Sequence, residues 1–112
     1  MLTERESEIV RAALQASVEG PFFPDWEFHT LMGVERDKMR AVLDAWPNVD
    51  DDENADLAIN NAFNNLLGYP HDEWEAWAEY SDADRNELGR TFMRWRSERG
   101  MSRPSRFFEG LS

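Results

Sequence analysis

Residues 57–71 read LAINNAFNNLLGYPH, fifteen residues without a formal charge in a chain otherwise crowded with carboxylates and guanidiniums. On a helical wheel, at about 100° per residue, Ile59, Ala62, Phe63, Leu66 and Leu67 gather on the side opposite Leu57. Asn60, Asn61, Asn64 and Asn65 gather on the other. The stretch therefore predicts an amphipathic helix, ended by Gly68 before Tyr69-Pro70. Its polar side is made only of amides. Asparagine inside a helix costs about 0.5 kcal/mol relative to alanine, so four of them call for a compensating gain. Amides bring donors and acceptors without the desolvation penalty of a full charge. That suits a face covered by backbone whose N–H and C=O groups lack partners. The cover expected here is the segment PFFPDWEFHTLMG at 21–33, or the GYPH turn at 68–71. On this reading Asn61 and Asn64 are inaccessible and bonded to backbone of 22–33 or 69–71. In the competing reading the four amides meet a partner or ligand.

Working outward, the other periodic segments are also helical. TERESEIVRAALQASVEG opens with a capping box, Thr3 and Glu6, and runs to Gly20-Pro21 with Ile9, Val10, Ala13 and Leu14 on one face. VERDKMRAVLDAWP places Met39, Val42, Leu43 and Trp46 in one stripe, with Arg36, Asp37, Arg40 and Asp44 opposite. Asp50 and Glu53 have capping-box spacing at the start of the amide helix. HDEWEAWAEY is read as a short helix with His71, Trp74, Trp77 and Ala78 on one side. SDADRNELGRTFMRWRSERG follows, with Ser81 as its expected cap and Arg94, Arg96 and Arg99 near its end. Between the first and second of these helices, residues 21–33 hold six large apolar side chains bracketed by prolines and a glycine. This predicts a packed loop with one helical turn around Trp26–Leu31. No segment alternates long enough for a strand. The expected fold is all-α, a single compact domain of four to five helices over residues 1–100 with a packed aromatic loop. Residues 101–112 form a tail, expected to be mobile unless Phe107-Phe108 dock.

The chain has 112 residues, a net charge of -11 and no cysteine, so disulfides and thiolate metal sites are excluded. No apolar run approaches the roughly 18 residues of a membrane span, and the first twenty residues lack a signal-peptide core, which predicts a cytoplasmic protein. From Met1 to Asp84 there are 20 acidic and 5 basic residues, a net of -15; from Arg85 onward there are 3 and 7, a net of +4. Such a body repels phosphate backbones, so no nucleic-acid partner is expected. It attracts basic proteins. The two histidines, His29 and His71, have carboxylates nearby in sequence but no metal-ligand spacing, and VDDDENAD lacks the order of a calcium loop. No nucleophile elbow, phosphate loop or dinucleotide fingerprint is present. No catalytic residue, metal or cofactor is assigned.

GPFFPDWEFHTLMG and NNLLGYPHDEW together resemble an uncharacterised family of small acidic bacterial proteins of actinobacterial type, over roughly Gly20 to Trp74. The resemblance implies a bacterial, cytoplasmic, single-domain protein in which the two segments belong to one structural feature; it carries over no activity. The function expected is that of a non-enzymatic interaction protein, immunity-like or inhibitor-like, binding a basic protein partner. The alternative is a small-molecule or catalytic site between the asparagine helix and the Trp26–His29 segment. Partner or ligand candidates are Trp26, His29, Asn60, Asn61, Asn64, Asn65, Tyr69, His71 and Trp74.

Overall fold

The computed structural model describes residues 2–48, 53–69 and 71–100, with Glu53 described by its backbone alone. Six helices follow one another: α1 (Glu4–Glu19), α2 (Asp25–Met32), α3 (Arg36–Ala45), α4 (Glu53–Gly68), α5 (Trp74–Trp77) and α6 (Arg85–Glu98). The all-α expectation holds, and no strand occurs among the described residues. The expected tail at 101–112 and the Asp50 half of the second capping box lie outside those residues.

The amide helix is the hub. α4 packs against α1, α2, α3 and α6, and α1 packs against α3 and α6 as well. The apolar side drawn from the wheel is core: Ile59, Ala62, Phe63, Leu66 and Leu67 are all buried. Phe63 stacks on Phe92 of α6 with ring centroids 5.0 Å apart, an offset-stacking distance that adds to the area buried. Ile9, Val10, Ala13 and Leu14 of α1 and Met39, Val42 and Leu43 of α3 close the same core.

Helix ends are fixed by named groups. Thr3 and Glu6 form both halves of the α1 capping box. Trp46 donates its indole N–H to the Ser7 carbonyl at 3.0 Å, tying the end of α3 to the start of α1. Arg5 reaches Asp82 at 2.7 Å and Glu87 at 2.9 Å, joining the starts of α1 and α6. Arg5 holds both carboxyls below their ordinary range.

Three local expectations change. Residues 25–32 make a two-turn helix where a loop with a single turn is expected, because Pro24 supplies an extended N-cap and Gly33 a left-handed C-cap. α6 begins at Arg85 with Asp84 as its cap, its side chain accepting from the Glu87 N–H at 2.8 Å. Ser81, the expected cap, instead accepts from the Ala83 N–H in the preceding turn at 3.0 Å. Finally, α5 is a single helical turn, and His71 precedes it.

Candidate interaction face

α2 lies antiparallel along α4, held by a ladder of polar contacts. At its start, the Tyr69 hydroxyl donates to Glu27 at 2.8 Å, which pushes the Tyr69 phenol above its usual value. Four residues further along α2, Asn65 donates to the Leu31 carbonyl at 2.8 Å. Asn61 then donates to the Met32 carbonyl at 2.7 Å. The last carbonyls of a helix have no intrahelical partner, so these amides satisfy groups that would otherwise be orphaned. Asn61 and Asn64 are the donors expected from the wheel; the bonds to α2 come from Asn61 and Asn65, which stack at i and i+4 along the line on which α2 rests. Asn65 also donates to the Asn61 carbonyl at 2.9 Å. Asn61, Asn64 and Asn65 are half-buried, less enclosed than the sequence reading expects.

The amides continue inward as a relay. Asn60 donates to the Asn61 side-chain oxygen at 3.2 Å and accepts from Arg96 of α6. A run of hydrogen bonds thus links α6, α4 and the end of α2. Burial lowers the Arg96 guanidinium below its usual value. A carboxylate at 61 or 65 would face the Met32 or Leu31 carbonyl with no proton to donate, which explains the amides there; one turn before Asn60, Asp56 does carry a charge and pairs with Arg99 at 2.9 Å.

Gly33 completes the join. It ends α2 at φ 73° and donates its N–H to the His29 carbonyl at 2.8 Å. A Cβ there would lie 3.1 Å from Leu57 and 3.3 Å from the Asn61 amide nitrogen. The positive φ and the close approach both require glycine.

The other end of α2 is held by Arg36. This side chain donates to the Val18 carbonyl at 2.5 Å and to the Asp25 carboxylate at 2.7 Å. Its guanidinium lies 4.2 Å from the Phe28 ring centroid. The sequence reading puts Arg36 on a solvated face. It is half-buried and serves the end of α1, whose last turn has no basic residue of its own. That shortage of local cations is the signal that a distant donor is needed.

His71, Tyr69 and Trp74 close the far end of α4. The Tyr69 N–H bonds the Asn65 carbonyl at 2.8 Å. His71 donates through Nε2 to the Leu66 carbonyl at 2.9 Å, and its Nδ1 accepts from the Glu73 N–H at 2.9 Å. Arg85 donates to the Leu67 carbonyl at 3.2 Å while its guanidinium covers Trp74 at 5.2 Å. The His71 ring packs at 5.0 Å from both Phe22 and Trp74 and at 6.3 Å from Phe23. Residues 20–33 and 64–74 therefore do form one feature.

The nine candidates fall into two groups. Asn60, Asn61, Asn65, Tyr69, His71 and Trp74 make internal contacts, and Asn64 lies half-buried on the same helix. The amides of Asn61 and Asn65 are committed to the protein's own backbone, at the place where the alternative reading puts a small-molecule site. Trp26 and His29 face outward. Trp26 is 80% exposed. The His29 ring lies 3.9 Å from the Glu35 carboxylate, and both are exposed. Leu57, which the wheel puts among the amides, is exposed beside Gly33. Among the described residues no group of three or more His, Cys, Asp or Glu is placed to hold a metal ion. Among the same residues no helix is long and apolar enough to cross a membrane.

No protein-family model matches this chain, and no curated protein or solved structure is similar enough to count as a match.

Proposed function

We propose that this is a bacterial, cytoplasmic, non-enzymatic interaction protein that binds a basic protein partner through the outward face of α2, in the manner of an immunity protein or inhibitor. The observation that carries the reading is Trp26, a large apolar side chain left outside on a helix immobilised at both ends. Tryptophan is the residue type most enriched among interface anchors. A helix already held by Arg36, Asn61 and Asn65 loses little freedom on binding, so little affinity is forfeited to ordering. The surrounding charge suits a cationic protein and disfavours nucleic acid.

The test is cross-linking capture from host cytoplasm, followed by titration of the purified partner with wild type, Trp26→Ala and Met93→Ala. Met93 is an exposed apolar side chain on α6 and serves as the control. The expected result is a loss of affinity of about ten-fold or more for Trp26→Ala, the level of an interface hot spot, and no change for Met93→Ala. A partner indifferent to Trp26 would overturn the reading.

A further inference from the structure

We propose that the α2 face is an arginine-receiving surface: the partner places a guanidinium on the Trp26 indole, between Asp25 at the start of α2 and Glu35, the residue that precedes α3. This rests on the interaction reading above and names the chemistry the face selects.

Three aromatic rings inside the molecule already carry a guanidinium. Arg36 lies over Phe28 at 4.2 Å, Arg85 over Trp74 at 5.2 Å and Arg96 over Phe92 at 5.7 Å. All are within the ~6 Å range in which the ring quadrupole attracts a cation. Trp26, the ring type with the strongest such attraction, stands open to solvent. The local charge has the matching sign. Between residues 25 and 37 there are four carboxylates, Asp25, Glu27, Glu35 and Asp37, and one arginine. That arginine, Arg36, turns inward to Val18 and Phe28. Asp25 stays 94% exposed while bonded to it, so its carboxylate is also open to a second donor. One turn beyond Trp26, the exposed His29 and Glu35 continue the face. Arginine fits better than lysine, because a planar guanidinium stacks on the indole while its edge N–H groups bond carboxylates.

The experiment uses the full chain and three synthetic peptides of Gly-Ser-Arg repeats, Gly-Ser-Lys repeats and Gly-Ser-citrulline repeats. Indole N–H and imidazole signals are followed by NMR at low salt, with Trp26 assigned from the Trp26→Phe spectrum. The arginine peptide should shift the signals of Trp26 and His29. The lysine peptide should bind about two- to five-fold more weakly, the size of an exposed cation–π contribution. The citrulline peptide should give no shift. Trp26→Leu should abolish the preference for arginine, and Trp26→Phe should keep part of it. Equal binding of the arginine and lysine peptides, or shifts spread over the acidic surface and unaffected by Trp26→Leu, would overturn the proposal. So would a Trp26 signal that moves with protein concentration, which assigns the face to a second copy. A signal that moves on Arg103→Glu with Arg106→Glu, without peptide, assigns it to the chain's own basic end and has the same effect. If the peptides fail to discriminate while Trp26→Ala still abolishes partner binding, this inference fails and the interaction reading stands. If the peptides discriminate while the captured partner ignores Trp26→Ala, the interaction reading fails and the preference of the face for arginine stands.

Discussion

α2 and α4 lie side by side, yet they handle exposed and buried chemistry in opposite ways. α4 turns a polar face inward and strips it of charge: Asn60, Asn61 and Asn65 bond Arg96, Met32 and Leu31. α2 turns its tryptophan outward and keeps its carboxylates around it. Buried polar groups need partners at fixed distances. An exposed aromatic needs only a rigid base. The contrast teaches that the unusual amides position the face, and the face itself is elsewhere.

The hardest test of that contrast is Asn65→Asp. It replaces a donor to two carbonyls by a half-buried carboxylate facing them, so it should destabilise more than Asn65→Ala. Asn65→Ala should cost about 1–3 kcal/mol, the penalty for leaving a buried polar group unpaired. Thermal melts of both variants check the order; an Asp variant as stable as wild type would break the account of α4. Gly33→Ala comes next. Its positive φ and the approach to Leu57 and Asn61 predict a loss of about 1 kcal/mol or more. Urea midpoints should show it, together with increased hydrogen exchange at the end of α2.

Trp26→Ala should change stability by no more than about 0.5 kcal/mol, as for other exposed positions away from special features. A large drop in its melt would mean that Trp26 belongs to the fold and would erase the contrast.

The smallest effect concerns the Arg5 clamp. Asp82 and Glu87 have carboxyls depressed by Arg5, so their contribution is present above the ordinary carboxylate range and is lost as pH falls through the depressed values. The melting difference between wild type and Arg5→Gln should therefore shrink on acidification from neutral pH. Asp82 is exposed and Glu87 only partly covered, so solvent screens both pairs and the gap at neutral pH should be small.

Much of this was legible residue by residue. The Thr3–Glu6 box, the buried stripe of α4 and the stripe Met39–Val42–Leu43 follow from local spacing alone. So does the need of the amide face for a cover drawn from residues 21–33. What was not legible depends on which side of an element meets which neighbour. Arg36 looks like any solvated helix arginine until the bare end of α1 is brought to it. α2 hides because its apolar residues serve two surfaces: Phe28 and Met32 go into the core and Trp26 to solvent, so no single stripe appears. Asp84 displaces Ser81 as a cap because both are good cap residues, and only the observed chain path chooses between them.

The uncharged stretch of α4 has one more consequence, which arises when the molecule opens. Residues 57–67, without charge or proline, hold Ile59, Phe63, Leu66 and Leu67 among amides, the kind of segment that pairs with copies of itself once released. Nothing within it repels a second chain. The carboxylates on either side do: Asp50 to Glu53 and Asp56 before it, and Asp72, Glu73 and Glu75 after it, stand as gatekeepers. The acidity that suits a basic partner in the folded protein thus guards against aggregation in the unfolded one, and neutralising those flanks should promote clumping during refolding without altering the native melt by a comparable amount.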